Sequence, residues 1–478
     1  MQIRTVPARH ALLFSLTALS SLAGCTVGPD YRGAPSLGAG APPPAFVRSD
    51  ASATTPAPAG RWWTALGDAT LDALEERALA ANADLAAAEA RLRQARAALR
   101  VERANGRPSA NLQGTYLHAR LPGVNVGEDD GGGGSSSVDF YNQGFDASWE
   151  LDLFGGKRRS VEAARAQAEE AEAKRADARV SLTAEVAQAY VNLRDRQRRI
   201  ALGRQSVALG EQALALGQQR LERGTATRAE IEQMRQQLDE TRAQLVPLAT
   251  QRDAYLDELA TLLALAPGAL DAELAAPVTA PLPPAQVAIG DPATLLRNRP
   301  DIRAAERELA AQTAKVGVAE AARFPKVSFM GIFGLGGSDV SDLVDPGSLA
   351  ALLAPRISWS FLDFGRNRAK ITQAEAVRDE ADAKYRAAVL AGLRDAEGAL
   401  ARFRDQRLIV ADRARAFAAA RASADLTAQR ERAGTATKID LADAERRRLT
   451  AESSLAGEEA ALTTAFISVE KALGLGWI

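Results

Sequence analysis

The body of this 478-residue chain is written twice, and the second copy follows the first at a fixed distance. Trp149-Glu-Leu-Asp-Leu-Phe154-Gly155 returns as Trp359-Ser-Phe-Leu-Asp-Phe364-Gly365. Leu193-Arg194-Asp195 returns as Phe403-Arg404-Asp405, and Gly224-Thr-Ala-Thr227 as Gly434-Thr-Ala-Thr437. All three pairs share an offset of 210 residues; upstream, Asp84 matches Asp301 and Pro108 matches Pro325 at 217. The first copy therefore carries seven extra residues between its Pro and its Trp, in the glycine-serine segment Gly127 to Ser137. A constant offset through Trp, Phe-Gly and Gly-Thr-Ala-Thr anchors marks a duplicated unit, so both copies must find the same local fold.

Within each copy the order of signals is the same. A helix comes first, Leu71 to Arg103 with a break near Asn82, and Asp301 to Ala322. Arg299-Pro300-Asp301 is a helix start, with Pro in the first turn and an acid at the positive end of the dipole. Two short alternating segments around a loop come next, predicted at about 108–118 and 140–154, and again at about 325–335 and 355–364. Phe145, Ala147, Trp149, Leu151 and Leu153 share one face, and Asp146, Ser148, Glu150 and Asp152 the other. In the second copy Val327, Phe329, Gly331, Phe333 and Leu335 share a face, followed after the loop by Ile357, Trp359 and Phe361. Period-two alternation over about ten residues with aromatics near the ends fits a transmembrane β-strand, although a half-buried strand in a soluble sheet shows the same pattern.

After Phe-Gly, residues 156–223 and 366–432 are almost free of helix breakers; Gly203, Gly210 and Gly217 weaken the first stretch without forbidding it. About 65 residues at 1.5 Å each make helices of roughly 100 Å. The Gly-Thr-Ala-Thr turn then reverses the chain, glycine closing one helix and a threonine capping the next. The sequence thus predicts long helical hairpins at 156–265 and 366–473, with Ala/Leu stripes that a two-helix hairpin cannot bury alone.

The amino terminus fixes a destination. Arg4 and Arg9 precede a short apolar run from Ala11 to Ala23, and Leu22-Ala23-Gly24-Cys25 reads as a lipobox ending residues 1–24 as a lipoprotein signal peptide. Cys25 is the only cysteine, so disulfides and cysteine metal sites are excluded, and its thiol is the expected lipid acceptor; an ordinary signal with a chance cysteine is the alternative. An Asp after the cysteine would favour inner-membrane retention, so Thr26 is compatible with the outer membrane. Residues 25–60, rich in Pro, Ala, Gly and Ser from Gly33 onward, read as an extended tether. The remaining boundaries are a first repeat at 61–270, a linker at 271–290 and a second repeat at 291–478. A net charge of −1 gives no reason to expect nucleic acid, and the Ala-, Leu-, Arg- and Glu-rich composition is that of extended helices.

Four strands cannot close a barrel, and an open sheet edge in lipid leaves backbone groups unpaired at several kcal/mol each. If these strands span a membrane, several chains must pool them, and the same rotation aligns the hairpins into a helical cylinder. Small closed barrels begin at about eight strands, and an interior wide enough to pass molecules favours three or more copies.

These residues carry a resemblance. Cys25-Thr-Val-Gly28-Pro29-Asp30-Tyr31, Trp62-Trp63, Asn298-Arg299-Pro300-Asp301-Ile302 through Glu306, Asp363-Phe364-Gly365-Arg-Asn-Arg368 and Leu473-Gly-Leu-Gly-Trp477 are spread over nearly all the mature chain. With them the chain resembles the outer membrane factor family of TolC-like exit ducts, most closely its NodT-type lipoprotein branch. The resemblance implies a mixed α and β fold: a homotrimeric twelve-stranded β-barrel, four strands per chain, continuous with a long periplasmic α-helical barrel and an equatorial domain. It implies a periplasmic adaptor (membrane fusion) protein as partner, an inner-membrane pump of the resistance-nodulation-division type, outer-membrane lipid around the barrel, and efflux of drugs or other small molecules as the role, with no cofactor. It also implies a gate at the second hairpin turn, which places Asp440 and Asp443 as candidate carboxylate rings, and adaptor contact at the hairpin tips Gly224, Thr225, Gly434 and Thr435. The first-copy equivalents of the two acids are Glu230 and Gln233. The family member with the best-described lock has tyrosine where this chain has Glu431 and arginine where it has Ala436, so the ties that hold the gate are expected to differ. First-turn acids that stabilise a helix N-terminus are the alternative for Asp440 and Asp443.

No enzyme is indicated. Leu153-Phe-Gly-Gly-Lys157-Arg158 lacks the first glycine and the hydroxyl of a phosphate loop, and Gly331, Gly334, Gly336 and Gly337 have no helix opening behind them. His118, the only histidine outside the signal, has neither a nucleophile nor a metal partner in sight and reads as a loop or rim residue. Two competing readings share these features: a lipid-anchored periplasmic scaffold or adaptor without a pore, and a duct of the same fold for secreted polypeptides.

Overall fold

The computed structural model describes residues 26–36, 43–49, 53–54, 60–121 and 136–477; the signal segment and Cys25 lie outside the described residues. The first copy comprises α1 (Ala69–Ala81), α2 (Ala83–Asn105), β2 (Ser109–Leu121), β3 (Ser136–Leu151), α3 (Gly156–Glu222) and α4 (Arg228–Leu262), preceded by the two-residue strand β1 (Ala53–Thr54). A second two-residue strand, β4 (Val287–Ala288), and the short helix α5 (Pro292–Asn298) lead into the second copy. That copy repeats the pattern as α6 (Pro300–Ala321), β5 (Lys326–Gly337), β6 (Leu349–Ser358), α7 (Arg366–Arg432) and α8 (Lys438–Ala472). The matching long helices have equal lengths, 67 residues for α3 and α7 and 35 for α4 and α8.

Two compact units result, and neither is one copy of the repeat. One consists of Met1–Pro35, Arg93–Glu170 and Ala305–Lys384, the other of Ser36–Leu92, Ala171–Ala304 and Tyr385–Ile478. The first unit holds a single antiparallel sheet in the order β2-β3-β5-β6. Matching tryptophans close its two hairpins. Trp149 donates Nε1–H to the Gly106 carbonyl at 3.2 Å and Trp359 donates to the Arg323 carbonyl at 2.9 Å, each two residues before the matching Pro108 and Pro325. Both strand-to-helix corners are made alike: Gly155 and Gly365 take φ of 81° and 83°, a left-handed conformation that a side chain would strain. Asp152 then accepts from the backbone N–H groups of Lys157 and Arg158, and Asp363 from those of Gly365 and Asn367, so a carboxylate caps each long helix.

The chain just after Cys25 is fastened at one of these corners. Val27 N–H donates to the Phe154 carbonyl at 3.1 Å. Arg159, only 3% exposed, donates to the carbonyls of Val27 and Gly28 and pairs with Asp30 at 2.6 Å and Glu162 at 2.8 Å. Tyr31 completes the strap by donating to Glu306 at 2.9 Å.

In the second unit the hairpin α3–α4 explains its own glycines. A side chain at Gly203 would strike Leu245, one at Gly210 would meet Leu238, and one at Gly217 would strike Met234 and Ile231. Gly203, Gly210 and Gly217 recur every seven residues, and so do Ile231, Leu238 and Leu245, so each large residue of α4 seats over a bare position on α3. The second hairpin has Arg413, Ala420 and Thr427 at the matching sites and lacks this close seam. The core of this unit gathers Trp62, Trp63 and Phe466 in edge-to-face contacts. Arg194 is buried there against Tyr190 and donates to the Leu274 and Ala276 carbonyls, and Tyr190 donates to Asp68, the N-cap of α1.

Several sequence expectations need correction. The strand placed at about 355–364 is Leu349–Ser358, so Trp359, Phe361 and Phe364 follow it. The strand placed at about 140–154 starts earlier and ends at Leu151, because Asp152 to Gly155 are needed for the corner. The 25–60 tether is partly built in: β1 pairs in parallel with β4, and the backbone N–H groups of Val47 and Arg48 donate to Glu397 at 2.8 and 2.9 Å. The break near Asn82 is a built junction, with Asn82 Oδ1 accepting from Leu85 N–H and Nδ2 donating to the Leu262 carbonyl.

Candidate functional site

Two places carry the features that sequence reading singled out: the sheet of the first unit and the helical turns of the second.

Opposed residues of an antiparallel ladder share a face, so the registers divide the sheet into two surfaces. One surface carries Leu112 opposite Phe145, Phe145 opposite Phe333 and Phe333 opposite Ala351, with Trp149 opposite Phe329 and Val327 opposite Ile357. The other is polar over most of β2 and β3, with Asn111 opposite Asp146, Gln113 opposite Gly144, Thr115 opposite Asn142, Glu150 opposite Ser328 and Ser328 opposite Arg356, and mixed elsewhere, with Asp146 opposite Ile332, Ile332 opposite Leu352 and Leu117 opposite Phe140. Lys326 lies on this polar surface and pairs with Glu150 at 3.8 Å. The apolar surface is bounded at both ends by ring stacks, Tyr116 on Tyr141 with centroids 4.9 Å apart and Trp149 on Phe329 at 6.4 Å. Tyr141 and Trp149 are eight residues apart, roughly 27 Å along an extended strand. Tilted by about 40°, that length rises about 21 Å, most of the roughly 25 Å apolar band of an outer-membrane barrel wall. Beyond the tyrosine stack, His118 bonds Asp139 at 2.8 Å on the exposed rim.

The sheet is not closed. Among the described residues β2 and β6 each pair on one side only, and these strands expose Leu112, Tyr116, Leu353 and Ile357.

The two Gly-Thr-Ala-Thr turns are nearly superposable in their bonding. Gly224 and Gly434 have φ of 72° and 74°. Thr225 donates its hydroxyl to the Arg220 carbonyl at 3.1 Å, and Thr435 does the same to Arg430 at 3.1 Å. Thr227 with Glu230, and Thr437 with Asp440, form capping boxes that open α4 and α8. Asp440 thus has a structural duty: its carboxylate accepts from the Thr437 backbone N–H at 2.8 Å and hydroxyl at 2.7 Å. Those bonds hold its carboxyl below the usual aspartate range, and Arg430 and the first hairpin's Arg220 reinforce the shift. Asp443 points elsewhere. It pairs with Arg446 at 3.7 Å and lines a cleft of about 840 Å³ between α3, α4 and α8, together with Arg196, Arg199 and Arg447. The two candidate acids therefore sit one helical turn apart in different surroundings.

Sequence reading missed the ties between the hairpins. Arg446 on α8 reaches the Thr241 hydroxyl on α4 at 3.5 Å, and Arg198 on α3 pairs with Glu452 on α8. Arginines spaced along a polar helix look like solvated charges, and only the packing reveals a partner.

The profile of the family described as outer membrane efflux protein matches residues 74–265 and 292–475, one match on each copy. Outer membrane protein OprJ of Pseudomonas aeruginosa is 32% identical over 71% of this chain and 70% of its own length. The pyoverdine export outer membrane protein OpmQ of Pseudomonas putida is 31% identical over 99% of this chain and 98% of its own. Among solved structures, the outer-membrane channel OprN superposes with a TM-score of 0.85 at 33% identity, covering 95% of this chain and 100% of that one.

Proposed function

This chain belongs to the outer membrane efflux protein family, and we propose that it is the exit duct of a tripartite efflux system, passing drugs or other small molecules passively from a periplasmic adaptor and inner-membrane pump to the exterior. One observation carries the reading: a four-stranded sheet with one apolar surface and one that gathers its polar and charged residues, ending, among the described residues, in two unpaired edges. In hydrocarbon such edges must be closed, and identical copies supply matching ones. Three copies make a twelve-stranded barrel with the apolar surface toward lipid and the polar surface around a wet lumen. The long hairpins then form the periplasmic cylinder, and their turns at Gly224, Thr225, Gly434 and Thr435 meet the adaptor. No step of chemistry is required of the chain; the pump supplies the energy and selects the cargo.

The amino-terminal strap supports a lipid anchor at Cys25. Val27 N–H is bonded to the Phe154 carbonyl, three residues beyond β3, and this attachment near the end of a strand is consistent with acyl chains on Cys25 entering the membrane at its periplasmic edge. Cys25→Ser is expected to remove the acyl groups, as read by mass spectrometry of the mature protein. The oligomer should survive, because strand closure holds it; a monomeric variant in detergent would refute that division of labour.

The duct is tested in planar bilayers. Purified protein should form discrete channels, whereas a scaffold gives none. Asp440→Asn with Asp443→Asn keeps a capping oxygen at position 440 but removes two charges per chain. If the acids ring the constriction, the double variant conducts better and loses block by divalent cations. Unchanged conductance and block would assign Asp440 to its cap and Asp443 to Arg446 alone.

A further inference from the structure

We infer that the two open edges join in a defined register, β6 of one copy against β2 of the next, with Ile357 opposite Gly114 and Ser358 opposite Gln113. The inference rests on the exit-duct reading and extends it to the seam, without which the wall of the duct is incomplete.

The warrant is the repeat itself. Moving the β2–β3 ladder forward by the two sequence offsets, 217 for its first strand and 210 for its second, lands on the β5–β6 ladder without a slip. Ser109↔Ser148 becomes Lys326↔Ser358, Leu112↔Phe145 becomes Phe329↔Pro355, and Tyr116↔Tyr141 becomes Phe333↔Ala351, all observed pairs. The two hairpins are therefore equivalent residue by residue. The β3–β5 ladder is the junction between one hairpin and the other, and the open edges of β2 and β6 continue the same sheet. In a ring of identical chains every junction joins a β3-type strand to a β5-type strand, so the internal junction is the template for the external one.

Carrying β3 to β6 and β5 to β2 by the same offsets fixes the partners. Ala147↔Gly331 becomes Ile357 opposite Gly114, Ser148↔Met330 becomes Ser358 opposite Gln113, Phe145↔Phe333 becomes Pro355 opposite Tyr116, and Trp149↔Phe329 becomes Trp359 opposite Leu112. Apolar residues meet on the lipid side and polar ones on the other, so the transferred register keeps both faces intact; a slip of one residue would invert one strand. The transfer also finds a partner for Phe364, which is 94% exposed and strained at φ 52°. Its counterpart Phe154 stacks on Phe324 with centroids 4.5 Å apart, and Phe324 corresponds to Arg107. The same offset makes Arg107 of the next copy the counterpart of Phe324 for Phe364, a guanidinium where the first corner has a ring, although φ is positive at Phe364 and not at Phe154, so the pairing of positions transfers and the ring geometry does not.

Oxidative cross-linking of the full-length protein in membranes tests the register. Two double variants are expected to give covalent oligomer ladders on non-reducing gels, Ile357→Cys with Gly114→Cys and Ser358→Cys with Gln113→Cys. Adjacent positions alternate between hydrogen-bonded and non-hydrogen-bonded pairs, so the two variants sample both geometries. Directly opposed Cβ atoms lie about 5 Å apart and diagonal ones about 7 Å, beyond disulfide reach. Controls displaced by two residues, Ile357→Cys with Leu112→Cys and Ser358→Cys with Asn111→Cys, should therefore react at least roughly tenfold more slowly. Faster reaction of the displaced pairs, or equal reaction of all pairs, overturns the register while leaving an assembled duct. Absence of every cross-link together with a monomeric mass overturns the duct reading itself.

Discussion

Phe145→Arg is expected to abolish the assembled protein in the outer membrane. Phe145 lies midway between Tyr141 and Trp149 on the apolar surface, opposite Leu112 on one side and Phe333 on the other. It is thus at the middle of the band that the two ring stacks bound. An arginine at the midplane of a barrel's lipid face costs about 2–4 kcal/mol, and a ring of copies carries that cost once per chain. The measurement is the fraction of protein that migrates as a heat-sensitive oligomer from isolated outer membranes, read beside survival of an efflux-deficient strain on toxic small molecules. Asp146→Arg is the matched control: it lies one residue away at the same depth on the polar surface, opposite Asn111. It should assemble and change only conductance and ion preference. If Asp146→Arg were lost and Phe145→Arg assembled, the two faces would be exchanged and the lumen assignment would fail.

The pattern behind that test is visible in the sequence alone. The alternation from Phe145 to Leu151 sorts its residues onto faces because successive side chains of a strand point to opposite sides. The same logic misled at the last strand. Leu349 to Ala354 are all apolar and then comes Pro355, so β6 carries no alternation to read, whereas Ile357, Trp359 and Phe361 alternate but run past the strand's end into the corner that holds Phe364. A positive φ at Phe364 and Gly365 turns the chain there, and nothing in the side-chain pattern announces it. The turns were more legible: Thr437 and Asp440, three apart ahead of an apolar run, state the capping box in the sequence. Long-range fasteners were not. Glu397 holding Val47 and Arg48, Arg159 gripping the chain after Val27, and Arg446 reaching Thr241 join residues distant in sequence through single side chains, with no periodicity to betray them. Even the glycine heptad of α3, plain as a spacing, acquires meaning only when Leu245, Leu238 and Ile231 are found opposite it.

Glu470→Gln is expected to stabilise the protein, and to do so more as the pH rises. Glu470 lies in α8 among Phe466, Ile467 and Val469 and is 4% exposed. Burial alone pushes its carboxyl up to about 8, so the folded chain holds a proton there at neutral pH. The unfolded chain releases that proton above the ordinary glutamate value near 4.5. Between these limits the unfolded state binds fewer protons than the folded one, so stability falls with rising pH and levels off only above about 8. At 1.36 kcal/mol per pH unit, the loss by pH 7 is roughly 3 kcal/mol. Glutamine has nearly the same shape and cannot ionise, so it escapes this loss. Glu75, fully buried and shifted in the same direction first by burial and then by Asp72, adds its own slope, so the comparison must be variant against wild type at each pH. Thermal unfolding of the detergent-solubilised protein at pH 5 and pH 8 is the measurement. The variant should track wild type closely at pH 5 and unfold several degrees higher at pH 8. A gap of equal size at both values would mean that the Glu470 carboxyl is ionised in the folded state, with a charged partner supplied on assembly.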